Sequence, residues 1–307
     1  MEMTVIKFLV VVGLALGGLF SVHTVEAADC SKTSTGLTAL TDGPGLYAGG
    51  ANDMPASWRG VGEAAAATVL PVNGKTGFIS IGVSNARIYW EGKKGDGSTV
   101  TTGFQQRMMS DPAREPSTYL VNGAQGSMKL STWAYTSTPW TALASKVTAG
   151  GLTASQVQAV WMQFGISDWY TVQQYVDALG AVMTRLQASY PNVKVVYISG
   201  INYVGYGGYA FGHQSEPYGY NANLAVKQFV DEYVTGARSG PFVAWGPYFW
   251  ADGVNPNTQG LSWSCSNFYS DGVHPNRSGA DKMIPRMISF FKSDSTSTPW
   301  LVSNGLL

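Results

Sequence analysis

Charge of either sign is scarce in this 307-residue sequence, with 19 basic residues against 19 acidic ones. A balance of that kind leaves no electrostatic footprint for nucleic acid or an anionic membrane. Histidine is scarcer still: His23, His213 and His274 are the full set, and Cys30 and Cys265 are the only cysteines. Scattered this way, they offer no metal-ligand spacing, so neither a metal nor another cofactor is expected. No Ser/Pro-rich linker or charge run divides the chain, and no internal repeat is evident. The one long apolar run, Phe8–Phe20 (FLVVVGLALGGLF), falls short of the ~20 residues a membrane helix requires. Followed by the small-x-small pattern "VEA" at Val25–Ala27, it reads as a secretory leader over residues 1–27. The expectation is a single exported domain over residues 28–307, extracellular or periplasmic, with no stable membrane insertion once the leader is removed.

What is present is core material, 45% of the residues being hydrophobic. Five short apolar runs rich in β-branched and aromatic residues stand out: Phe78–Gly82, Tyr119–Asn122, Ala159–Phe164, Val193–Ser199 and Phe242–Gly246. Near-continuous apolarity without alternation predicts parallel strands covered on both faces. Trp161 and Trp245, inside these runs, are expected in the core. Helical patterns lie between them, over Tyr170–Ala188 (Val172, Tyr175, Val176, Leu179, Val182, Met183 and Leu186 in one stripe), over Asn221–Val234, and from Ser278 through "MISFF". Alternating strand and helix predicts a three-layer α/β/α sandwich with a five-stranded parallel sheet, whose ligands sit outside the carboxyl ends of the strands. An oxidising compartment permits Cys30 and Cys265 to pair, which would tie the mature N-terminus to the segment before Asp271; sequence alone leaves open whether their Cα atoms come close enough.

Chemistry concentrates in two places. "GVSN" follows the first strand and delivers Ser84 to the active edge of the sheet, while "DGVHPNRSG" sets Asp271 three residues before His274 in one tight turn. A serine hydroxyl needs a base within hydrogen-bond reach, itself held by a third group. Asp271 can accept from Nδ1–H of His274, leaving Nε2 to take the serine proton. Against the ordinary α/β-hydrolase pattern stand the missing Gly-x-Ser-x-Gly elbow and the closeness of acid to base.

On "GVSN", "VNGAQGS", "FGISD" and "DGVHPNRSG", in that order, the chain resembles the SGNH (GDSL-type) hydrolases. The resemblance implies a flavodoxin-like fold and a serine esterase with Ser84 as nucleophile, His274 as general base and then acid, and Asp271 as its orienting partner. It implies an oxyanion hole from the N–H of Ser84, the N–H of Gly126 (or, one residue on, Ser127) and the side chain at Ser167. Two positions depart from the family pattern: Val83 replaces the aspartate before the nucleophile, and Ser167 replaces the asparagine of the third block, whose amide reaches farther than a hydroxyl.

Asn85, Asn122, Tyr206, Tyr209 and His213 are candidate substrate contacts. The last three lie in the Tyr- and Gly-rich stretch "INYVGYGGYAFGHQSEPYGYN", longer than an ordinary connection and placed to wall a cleft. Its other reading is a loop whose tyrosines pack on one another. His213, with only Glu216 as a nearby acid, is expected to contact substrate or solvent rather than serve as base. The expected partner is a carboxylic ester, an O-acetyl ester on a polysaccharide ahead of a lipid or short-chain ester; the other readings are a glycan-binding module with decayed chemistry and a lipid esterase. "NRS" at Asn276–Ser278 is a glycosylation sequon only in a host that glycosylates.

Overall fold

The computed structural model describes residues 27–165, 170–207 and 215–303. Residues 1–26 of the expected leader therefore lie outside the described residues, as do Ser167, Tyr209 and His213.

In chain order the elements are α1 (Ala56–Ala66), β1 (Thr76–Gly82), α2 (Ser84–Glu91), α3 (Phe104–Met109), β2 (Thr118–Asn122), α4 (Leu130–Tyr135), α5 (Thr138–Ala149), β3 (Val157–Gln163), α6 (Val172–Ser189), β4 (Val195–Ser199), α7 (Tyr218–Val234), β5 (Phe242–Trp245), α8 (Arg277–Ser293) and a final turn α9 (Thr298–Leu301). The five strands form one parallel sheet in the order β2-β1-β3-β4-β5, with helices on both faces. All five expected strands are present, each within a few residues of its apolar run. Residues of β1, β3, β4 and β5 are buried without exception. A strand covered on both faces has no polar side to show, which is why its sequence does not alternate.

After β1 the chain moves to β2 on one side, then returns to place β3 on the other. This makes the carboxyl end of β1 the topological switch point, where connections diverge and leave a crevice. Aromatic rings fill the layer behind it. Phe78 meets Trp90, Phe104, Phe291 and Trp300 edge-on, with centroids 4.8 to 6.2 Å apart, and Trp161 stacks on Trp90 at 5.7 Å. Trp161 and Trp245 are both buried, as expected.

The long helix α6 begins two residues after its expected start at Tyr170. Thr171 Oγ1 accepts from Gln174 N at 3.2 Å and Gln174 Oε1 accepts from Thr171 N at 2.9 Å, a reciprocal cap. The helices α2 to α5 were not expected; α2, α3 and α5 pack against the sheet and α4 against α5 and α6, so tertiary packing rather than a clear apolar stripe sustains them. Cys30 and Cys265 are joined, their Cα atoms 5.4 Å apart. Backbone bonds from Ala28 N to Ser270 O (2.7 Å) and from Asp29 N to Tyr206 O (2.9 Å) hold the same N-terminal segment beside the turn that carries Asp271. Among the described residues no helix is long and apolar enough to cross a membrane.

Candidate active site

Ser84 is the first residue of α2, immediately beyond the switch point. The strand can turn so abruptly because Gly82 adopts φ +153°, where a Cβ would stand 2.1 Å from the carbonyl oxygen of Gln163. Val83 N then donates to Gln163 O at 3.3 Å and α2 begins. At the first helical position the N–H of Ser84 has no helical carbonyl to reach, so it is left pointing out of the helix beside the Oγ. The positive end of the α2 dipole lies at the same place.

On the other side of the crevice, the turn before α8 presents His274. Ser84 Oγ lies 2.7 Å from His274 Nε2, across 190 positions of sequence. Asp271 Oδ2 lies 2.9 Å from Nδ1. A carboxylate at Nδ1 keeps the proton there, so Nε2 carries the lone pair and the serine O–H donates to it. Asp271 Oδ1 accepts from the N–H groups of Val273 (2.8 Å) and His274 (2.9 Å), which locks the carboxylate to its own turn. Burial pushes the Asp271 carboxyl up, but the imidazole hydrogen bond, its charge and the two N–H groups outweigh burial and hold it below the usual carboxylate range. Gly272, at φ +69°, makes the tightness possible: a Cβ there would fall 2.1 Å from Tyr206 O. Asn276 closes the turn by capping α8, accepting from Ser278 N at 2.9 Å and Gly279 N at 3.3 Å. Its Nδ2 is spent on Ser266 O and Phe268 O, so the sequon asparagine is a structural cap.

The turn after β2 makes the third wall. Asn122 Oδ1 accepts from Ser80 Oγ (2.9 Å) and Ala124 N (3.0 Å), and Ser80 Oγ accepts from Gly123 N (3.2 Å). Gln125 N donates to Gly82 O at 3.0 Å, stitching the turn to the end of β1. These bonds consume the N–H groups of residues 123–125 and leave those of Gly126 and Ser127 without a backbone acceptor among the described residues. Ser127 takes a left-handed φ of +62°.

Asn122 therefore shapes this turn, its Nδ2 also donating to Glu91 Oε2 at 2.9 Å, and it is not placed as a substrate contact. Two further expected contacts are buried. Asn85 is 2% exposed; its Nδ2 donates to Asn202 Oδ1 (3.1 Å) and to Val273 O (3.2 Å). It thereby ties the second residue of α2 to the residue before His274. Tyr206 is wholly buried, its hydroxyl donating to Trp263 O at 2.8 Å and its ring edge-on to Tyr203 at 5.1 Å. In the described part of the long loop, the tyrosines pack on one another rather than line a cleft. Tyr209 and His213 lie outside the described residues, as does Ser167. Glu216, the acid nearest His213 in sequence, is committed elsewhere: it accepts from Trp250 Nε1 (2.8 Å), Tyr220 N (2.8 Å) and Val204 N (3.2 Å).

Sequence reasoning missed Asn202 and Tyr89. Tyr89 OH donates to Asn202 Oδ1 at 2.9 Å, completing a buried polar group under the serine and histidine. An asparagine just past an apolar strand, as in "SGINY", is the only mark they leave in the sequence.

No family model and no curated protein matches the chain. Among solved structures it is similar to a carbohydrate esterase family 3 protein from Talaromyces cellulolyticus (14% identity, TM-score 0.44, covering 69% of this chain and 94% of that one). It is similar also to an acetylxylan esterase from Geobacillus stearothermophilus (16%, TM-score 0.43, 75% and 97%). A third is a member of the lipolytic protein G-D-S-L family from Veillonella parvula (11%, TM-score 0.41, 71% and 99%). Likeness this distant carries no function across; what the site can do rests on its own geometry.

Proposed function

We propose that this chain is a serine ester hydrolase of the SGNH kind, with Ser84 as nucleophile. The observation that carries the reading is the continuous hydrogen-bonded line from Ser84 Oγ through the His274 imidazole to the Asp271 carboxylate. His274 Nε2 removes the hydroxyl proton as Oγ attacks the ester carbonyl; the tetrahedral oxyanion collapses, and the leaving alkoxide departs with the proton from Nε2. Water, deprotonated by the same nitrogen, attacks the acyl-serine and releases the carboxylic acid. The oxyanion is met by the N–H of Ser84 at the start of α2 and by the N–H of Gly126 or Ser127 in the turn after β2, with Ser167 as the third donor on the strength of the sequence resemblance. An O-acetyl group as the acyl part also rests on that resemblance. The disulfide supports export to an oxidising compartment, where such a bond persists.

The test is release of acid from 4-nitrophenyl acetate and from acetylated glycans by the purified protein. Ser84→Ala and His274→Ala are each expected to lower kcat by about 10⁴-fold or more, and Asp271→Asn by about 10³–10⁴-fold, with little change in KM. Equal hydrolysis by wild type and Ser84→Ala would remove the reading. Glycan binding without turnover would mark a binding module instead.

A further inference from the structure

The loop between α2 and α3 is pinned against the site. Arg87 Nη1 donates to Gly95 O at 3.2 Å, and Lys94 N donates to Ser98 O at 2.9 Å, so residues 94–98 form a closed turn. Its Gly95 Cα stands 3.3 Å from where a Cβ of Gly126 would be, which packs this turn against the one that carries the candidate oxyanion N–H groups. The side chain of Lys94 then reaches across to the histidine side: its Nζ sits 4.4 Å from the centre of the Tyr269 ring.

Tyr269 is the partner of His274 across their turn. Phe268 and Pro275 are bridged in antiparallel fashion, and Tyr269 N donates to His274 O at 2.9 Å, so residues 269 and 274 stand opposite each other. The Lys94 ammonium is therefore held on Tyr269 of the histidine turn, while its neighbour Gly95 packs against Gly126.

Among the described residues, the carboxylates of this neighbourhood already have partners. Glu91 is taken by Arg87 (2.8 Å) and Lys93 (3.4 Å), Asp96 by the Ser98 hydroxyl and N–H, and Asp271 by His274. Lys94 has no carboxylate within ion-pair distance among the described residues, although it is only half exposed. The one described counter-charge it feels is Asp96 in the same turn, whose carboxylate is bonded to Ser98 rather than to the ammonium, so the cation over the ring keeps its direct-contact position open to a substrate anion.

We infer that Lys94 selects the substrate: the ester taken by Ser84 carries a carboxylate or other fixed negative charge close to the scissile bond, and the Lys94 ammonium pairs with it. The inference rests on the esterase reading of Ser84. The charge can belong to the alcohol part, as in an acylated uronate unit, or to the acyl part, as in a monoester of a dicarboxylic acid.

The experiment compares kcat/KM for matched pairs of esters. On the alcohol side the pair is 4-acetoxybenzoate and its neutral methyl ester; on the acyl side it is mono-4-nitrophenyl glutarate and 4-nitrophenyl valerate. The wild type is expected to prefer the anionic member of one pair by about ten- to a hundredfold, and the pair in which this occurs identifies the part that bears the charge. Lys94→Gln should bring that ratio to near one, and Lys94→Glu should invert it. If the wild type hydrolyses both members of both pairs equally, or if Lys94→Gln keeps the preference, the inference about Lys94 falls while the esterase reading stands. If Ser84-dependent hydrolysis of every ester is absent, both fall together.

Discussion

At the scale of single residues, the site depends on side chains that never meet the substrate. Asn85 sits one position after the nucleophile, where sequence alone makes it a natural ligand contact. Folding turns it inward, because the second position of α2 faces Asn202 and the backbone of Val273. Its hydrogen bonds fix the distance between the helix that carries Ser84 and the turn that carries His274. Truncating it leaves Val273 O unpaired in a buried place, at a cost of about 1–3 kcal/mol in stability. Misplacing the base by a fraction of an ångström also costs rate. Steady-state kinetics on Asn85→Ala should therefore show kcat lowered about tenfold or more with KM little changed; a rise in KM at constant kcat would restore Asn85 as a substrate ligand. The residue-level features that could be read from the sequence were those set by short spacing. Asp271 and His274, three apart in one turn, are an example. The inward course of Asn85 and Tyr206 was not readable, because it depends on which way a helix start and a loop face after folding.

At the scale of elements, the strands were legible and several helices were not. Strands buried on both faces announce themselves by unbroken apolar runs, and α6 by its stripe. The start of α2 announces nothing: "SNARIYWE" mixes polar and aromatic residues, and it is helical because Gly82 turns the chain over Gln163 and Tyr89 and Trp90 bury themselves against the sheet. The connections beyond β4 and β5 are joined through Glu216, whose carboxyl takes N–H groups from Val204 after β4, from Tyr220 in α7 and from Trp250 after β5. Burial pushes this carboxyl up to about 7 against the pull of those three donors. Since its folded value lies above the unfolded 4.5, the folded state holds a proton that the unfolded state has lost between these two values. Its contribution to stability is thus full below about pH 4.5 and declines as pH rises toward about 7. Urea unfolding across that range should show the decline in the wild type and its absence in Glu216→Gln, a differential on the order of 3 kcal/mol. Parallel pH profiles for the two proteins would contradict it.

At the scale of the whole molecule, the sheet order does the work that no local stretch can. Only the placement of β3 on the far side of β1 from β2 opens the crevice at Ser84, and only the return of α8 beside α2 brings in the histidine turn. The Cys30–Cys265 bond and the adjoining backbone bonds fasten the N-terminal segment to the same region, beside the turn that carries Asp271. The five-stranded sandwich was legible in the alternation of elements. The Ser84–His274 pairing was legible only as an expectation, since nothing in either stretch records a contact made across 190 positions. Reaction with a fluorophosphonate probe, read by mass spectrometry of the intact protein and its peptides, tests that pairing most directly. A single adduct on Ser84, lost in His274→Ala, is the expected result; an unmodified protein, or an adduct on Ser84 that forms as fast without His274, would contradict the account.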